Sequence, residues 1–131
     1  MDEVPIRSGD DVVRVRQQVR NAAAENGLSL VDQTKLVTAA SELARNTLVH
    51  GGGGVAHIEV VKSASGRAGV KLHFTDEGPG IADIALALTD GWTSGTGLGL
   101  GLSGARRLVD EFELDSKPGA GTSVMVVKWS R

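Results

Sequence analysis

Apolar positions follow two different periods along this chain, and the switches between them mark its elements. Residues 3–7 alternate in the manner of a short leading strand. The spacing then changes. Val12, Val13, Val15, Val19, Ala22 and Ala23 recur at helical intervals behind Ser8-Gly9-Asp10-Asp11, which has the form of an N-cap with an acid at N3. Gly27 ends that helix. Ser29-Leu30-Val31-Asp32 repeats the capping pattern and opens a second helix over 30–49, rich in Ala and Leu and stopped by four glycines from Gly51.

Period two returns after those glycines. Residues 55–62 are β-branched and partly alternating, and Val70, Leu72 and Phe74 alternate with Lys71, His73 and Thr75. The link 63–69 is rich in Ser, Gly and Ala, so the two runs predict an antiparallel hairpin. A helical stretch near 83–90, a glycine ladder and a helix near 103–112 follow. Strands over 113–116 and 123–129, joined by Lys117-Pro118-Gly119-Ala120-Gly121, close the chain. Strands adjacent in sequence, with helices grouped, predict an α+β fold: a two-layer α/β sandwich with a mixed sheet and helices on one face. A doubly wound sheet needs a β-α-β alternation that is missing here. At 131 residues the expectation is one domain over 1–131.

Composition narrows the function classes. Fourteen Lys and Arg against sixteen Asp and Glu give a net charge of −2, which offers no electrostatic capture of nucleic acid or an anionic membrane. The aromatic residues Phe74, Phe112, Trp92 and Trp129 are too few for a base-stacking platform. With no cysteine, disulfides, thiolate metal sites and thiol nucleophiles drop out. His50, His57 and His73 lack the spacing of a structural zinc site. No apolar run approaches the ~18–20 residues that span a bilayer, and Met1-Asp2-Glu3 is unlike a signal peptide. The expected compartment is the cytoplasm, without membrane or nucleic-acid partners.

Four motifs carry candidate chemistry. Glu42 and Asn46 lie four apart on the second helix and share a face, where an amide oxygen can ligate Mg²⁺ and a carboxylate can take a proton from an attacking hydroxyl. Asp76-Glu77-Gly78-Pro79-Gly80 follows a strand; a short acid there can accept the exocyclic amine of adenine, and Gly78 and Gly80 let a flat base approach the main chain. Gly95-Thr96-Gly97-Leu98-Gly99-Leu100-Gly101 exposes N–H groups that can wrap polyphosphate and runs toward a helix N-terminus expected near Ser103. Gly119-Ala120-Gly121-Thr122 turns into the last strand and brings a hydroxyl toward the base. Singly, each has a bland reading: a solvated helix pair, an acidic turn, a glycine linker, a hairpin. The ladder also matches G-x-G-x-x-G formally, but no strand precedes it, and no P-loop pattern occurs anywhere.

In this order, the four motifs resemble the GHKL ATPase superfamily of gyrase, the Hsp90 chaperone, histidine kinases and MutL, with its Bergerat nucleotide-binding fold. The resemblance runs from about Val12 to Trp129. The length resembles the stand-alone anti-sigma-factor kinases, and the runs 76–102 and 106–122 with the terminal Val127-Lys128-Trp129 are similar to the RsbT-type switch kinases of the stressosome. That resemblance implies ATP and Mg²⁺ as cofactors. It implies phosphorylation of a Ser or Thr on a STAS-domain protein and, on release, activation of a PP2C-type phosphatase through its regulatory domain. Direct sequestration of a sigma factor is the alternative. It further implies Glu42 as catalytic base and Asn46 as metal ligand. Asp76 would read adenine, and Gly78, Gly80, Ile81, Gly95, Thr96, Gly97, Leu98, Gly99, Leu100, Gly101 and Thr122 would line the nucleotide site. Arg106 and Arg107, placed at the start of a helix where cations are disfavoured, are candidates for phosphate or partner contact, and Arg45 for partner docking; a solvated face explains each as well.

Overall fold

The computed structural model describes residues 2–80 and 98–131. The elements run β1 (Asp2–Ile6), α1 (Gly9–Glu25), α2 (Leu30–Val49), β2 (Gly54–Lys62), β3 (Ala68–Asp76), α3 (Leu98–Leu108), β4 (Glu111–Ser116) and β5 (Thr122–Trp129). The strands form one sheet in the order β1-β2-β3-β5-β4. The α+β class holds. The sheet, however, is not mixed: every described pairing is antiparallel. The cause is topological. The chain leaves β3, passes through α3 and returns in β4 parallel to β3, but β5 folds back by a hairpin into the gap between them and opposes both.

Alternation sets which face is covered. Val70, Leu72 and Phe74 of β3 are buried with Val4, Ile6, Ala56, Ile58, Val124 and Val126, and the helices lie on that face. Lys71, His73 and Thr75 point the other way and stay part-exposed. Helix α2 is central, packed by α1 on one flank and α3 on the other. Its buried Ala39, Ala40 and Ala44 keep the neighbouring backbones close, while Leu36 and Leu43 fill the space above the sheet. Ser29 caps α2 by accepting the Asp32 N–H at 3.1 Å. Ser8 occupies the N-cap position of α1 but makes no side-chain cap bond; Asp11 instead accepts the Arg7 N–H at 2.8 Å.

The N-terminal end of α2 is tied down by charge. Lys128, only 4% exposed on β5, lies 3.7 Å from Asp32 and 3.5 Å from Asp110. Arg131 closes the cluster at 3.5 Å from Asp32 and 2.6 Å from Asp110. Burial alone would push the Asp110 carboxyl up; the Trp129 N–H, Lys128 and Arg131 outweigh it and hold Asp110 below the ordinary carboxylate range. With one end fixed in this way, the other end of α2 is delivered over the strand ends.

Candidate active site

The C-terminal turn of α2 bends tightly onto the sheet. His50 N–H donates to the Asn46 carbonyl at 2.9 Å, and Gly53 N–H to the Thr47 carbonyl at 3.0 Å. Gly52 and Gly53 sit at φ of 71° and 108°, a region closed to most side chains. The chain then enters β2 at Gly54, directly opposite Asp76, the last residue of β3. Across the sheet the same row continues to Thr122 and Ser116. Asp76 is two residues beyond the buried Phe74, so period two turns its carboxylate to the helix-covered face.

Absent side chains make room for that carboxylate. A Cβ on Gly51 would overlap the Asp76 side chain, and one on Gly78 would lie 2.7 Å from Gly51 Cα. Asp76 Oδ1 accepts the Gly78 N–H at 2.9 Å, which fixes the carboxylate and leaves Oδ2 open. Ser116 donates its one hydroxyl hydrogen to the Gly121 carbonyl at 3.0 Å. Thr122 is therefore the donor in their shared 2.9 Å bond and keeps its lone pairs for a ligand.

These groups line one cleft. Asn46 of α2, His50 at its C-cap, Asp76 of β3, Gly80 of the following turn and Thr122 of β5 surround it, with Leu43, Phe74 and Leu102 as its apolar floor and wall. The Asn46 Nδ2 is buried without any hydrogen-bond partner. An unpaired buried amide is costly unless a ligand satisfies it, and a half-turn of the amide would present its oxygen instead. Apolar walls with a few convergent polar groups suit a flat heterocycle. Glu42 does not line the cleft. It stands half-buried one turn before Asn46, at the rim.

Sequence reading missed His50, which projects from the same helical face as Asn46, four residues on. Burial lowers its pKa below the ordinary histidine value, while nearby Asp76 pulls it upward and is outweighed. Helix α3 also differs from expectation. It begins at Leu98, so Ser103 is buried inside it and the N-terminus falls within the ladder. The N–H groups of Leu98, Gly99 and Leu100 are then among those left without intrahelical acceptors. Arg106 and Arg107 occupy the last turn, where the dipole favours cations, so the dipole argument for phosphate contact falls away. Ile81, Gly95, Thr96, Gly97 and the helical stretch near 83–90 lie outside the described residues.

Comparison with known proteins bears on the family and the fold. The family model described as histidine kinase-, DNA gyrase B-, and HSP90-like ATPase matches residues 31–130. The chain belongs to this family. The serine/threonine-protein kinase RsbT of Bacillus subtilis (strain 168) is 46% identical over 121 residues, covering 92% of this chain and 90% of that protein. The anti-sigma F factor of Thermoanaerobacter sp. (strain X514) is 29% identical over 117 residues, covering 87% of this chain and 82% of that one. Among solved structures, the RsbU and RsbW domains of Rv1364c from Mycobacterium tuberculosis superpose with a TM-score of 0.64 at 23% identity. That likeness covers 100% of this chain and 33% of the other, and concerns the fold. The 46% identity over nearly the whole chain carries the activity, that of a protein serine/threonine kinase, and membership of an ATPase family carries the nucleotide, ATP. Among the described residues no helix is long and apolar enough to cross a membrane.

Proposed function

We propose that the cleft binds ATP with Asp76 accepting the adenine amine, and that Glu42 drives transfer of the γ-phosphoryl to a serine or threonine hydroxyl on a STAS-domain protein. The observation that carries this reading is the convergence of Asn46, Asp76 and Thr122 in one cleft, with Glu42 at its rim one turn from Asn46. Asp76 and Thr122 hold the base end, while Gly78 and Gly80 keep the main chain low enough for it to lie flat. The backbone N–H groups at the start of α3, with Gly95, Thr96 and Gly97 before them, serve the phosphates. The Asn46 amide fits a Mg²⁺ ion, since a hard cation takes oxygen ligands and keeps phosphate and water as most of its shell. Mg²⁺, when bound, supplies neutralisation of phosphate charge.

Glu42 is half-buried, and its remaining open surface is where a second protein can reach it. The acceptor hydroxyl gives its proton to Glu42 as its oxygen forms the bond to phosphorus, and ADP leaves with the electrons of the broken P–O bond. Positioning at the rim places the proton acceptor outside the adenine pocket, where the hydroxyl arrives. Similarity to RsbT supports a STAS-domain acceptor and, once the kinase is released, activation of a PP2C-type phosphatase in a cytoplasmic partner-switching pathway. A test is incubation with labelled ATP, Mg²⁺ and candidate STAS-domain proteins, followed by mapping of the label. One labelled Ser or Thr is expected, with a loss of roughly 10²–10⁴-fold in Glu42→Gln at unchanged ATP affinity. Normal transfer by Glu42→Gln would discard the base assignment.

The 29% identity to an anti-sigma F factor favours a second reading, direct capture of a sigma factor with nucleotide as a conformational ligand. Pull-downs against sigma factors and STAS-domain proteins separate the two: retention of a sigma factor alone supports the second.

A further inference from the structure

Helix α2 has a second functional-looking face beside the one that enters the cleft. Val31, Lys35, Thr38, Glu42, Arg45 and Val49 recur at alternating spacings of four and three, which makes one continuous stripe. None of it packs into the core. Val31 is 63% and Val49 60% exposed, two of the few large apolar side chains left in water. Lys35, Thr38 and Arg45 are exposed and Glu42 half-buried.

Helical geometry places Glu42 at a border. At about 100° per residue, Asn46 lies about 40° from Glu42 in one rotational sense and His50 about 80° in the same sense, both on the cleft side. Arg45 lies about 60° away in the opposite sense, with Thr38 about 40° away on that side. Anything that presents a hydroxyl to Glu42 from outside the cleft must therefore lie along the stripe and meet Thr38 and Arg45 one turn to either side. A length of 20 residues at about 1.5 Å each gives a ridge of roughly 30 Å, long enough for a protein surface.

Charge decides the occupant. The whole chain carries −2, yet on this stripe two cations flank one carboxylate. Among the described residues, neither Lys35 nor Arg45 has a hydrogen-bond or ion-pair partner. An exposed positive charge one turn from the proton acceptor, with apolar Val31 and Val49 at the ends, suits a protein surface that carries a carboxylate beside its hydroxyl. We propose that this α2 stripe is the docking surface for the acceptor protein, and that Arg45 selects acceptors with an acidic side chain next to the phosphorylated Ser or Thr. The inference rests on the kinase reading above and adds to it the acceptor's recognition chemistry.

Steady-state transfer to the STAS-domain acceptor by the intact chain provides the test, with Arg45→Glu, Arg45→Gln and Arg45→Lys as variants. The expected result for Arg45→Glu is a rise of about tenfold or more in KM for the acceptor, with KM for ATP and calorimetric ATP affinity unchanged. Arg45→Lys retains most of the affinity, rising ionic strength narrows the gap, and changing the acceptor's neighbouring carboxylate to Lys rescues Arg45→Glu. Circular dichroism and urea midpoints of the variants should match the parent, since Arg45 is exposed. An unchanged acceptor KM in Arg45→Glu, where the parent chain transfers normally, overturns the inference alone. A fall in ATP affinity instead, marking Arg45 as a phosphate contact, also overturns it. Absence of transfer by the parent chain to any STAS-domain protein overturns the functional reading and this inference with it.

Discussion

Replacing Asp76 by Asn tests the nucleotide site with little disturbance of the fold. Asp76 Oδ1 accepts the Gly78 N–H at 2.9 Å, and an Asn oxygen can keep that bond. What changes is the other position, where an NH₂ donor replaces the open Oδ2. Adenine's exocyclic amine would then face a donor instead of a charged acceptor. A hydrogen bond to a charged group contributes about 1.5–3 kcal/mol, so ATP affinity should fall roughly 10- to 150-fold. The NH₂ group can meanwhile donate to the carbonyl that guanine presents, so the preference for ATP over GTP should shrink by more than the loss in total affinity suggests. Isothermal calorimetry with ATP, ADP and GTP reads both quantities, and a urea midpoint verifies that the variant folds. ATP affinity within twofold of the parent chain, with selectivity retained, would refute the reasoning that Asp76 reads the base.

Three further outcomes follow from the packing and the ion pairs. Gly51→Ala puts a Cβ into the Asp76 side chain and close to the Thr47 carbonyl, so it should cost about 1–3 kcal/mol in urea unfolding and weaken ATP binding in calorimetry. Lys128→Ala leaves Arg131 as the one cation beside Asp32 and Asp110 among the described residues, and chemical denaturation should show a loss of about 3 kcal/mol. His73 has its pKa lowered by burial first and then by His57 and Lys71. The unfolded chain therefore binds the proton more readily, and stability should decline as pH falls below the unfolded value of about 6.5. A His73→Gln variant should lose part of that slope in denaturation curves at successive pH values.

Much of the fold was legible because periodicity and stop signals agreed. The second helix was expected over 30–49 and is found at Leu30–Val49, since Ser29 caps it and Gly51 to Gly54 forbid its continuation. The hairpin of β2 and β3 followed from a β-branched, partly alternating run and a cleanly alternating one on either side of a Ser/Gly turn. Helix α3 was misplaced by several residues because glycine is a poor helix former, and local propensity argued for a loop where packing against α2 sustains a helix. Strand β4 begins at Glu111, not 113, because Phe112 alternates inward with Leu114 and pairs with Val126. Of the site, Glu42, Asn46, Asp76, Gly80 and Thr122 could be picked out as motif residues, and four of them do line the cleft. The Lys128 cluster could not be: Asp32, Asp110 and Lys128 lie far apart in sequence, and only the packing of α2 against the sheet unites them. His50 has no metal-ligand spacing to mark it; its signal is the four-residue offset from Asn46.

Titration of the isotope-labelled chain with Mg²⁺ and ATP, followed by backbone amide NMR, tests most directly whether α2 and the strand ends share one nucleotide. The expected shifts gather at Asn46 to Gly51, Asp76 to Gly80, the first turn of α3, and Gly121 to Val124. Shifts confined to the opposite sheet face around His57 and His73, or none at saturating ATP, would contradict the account.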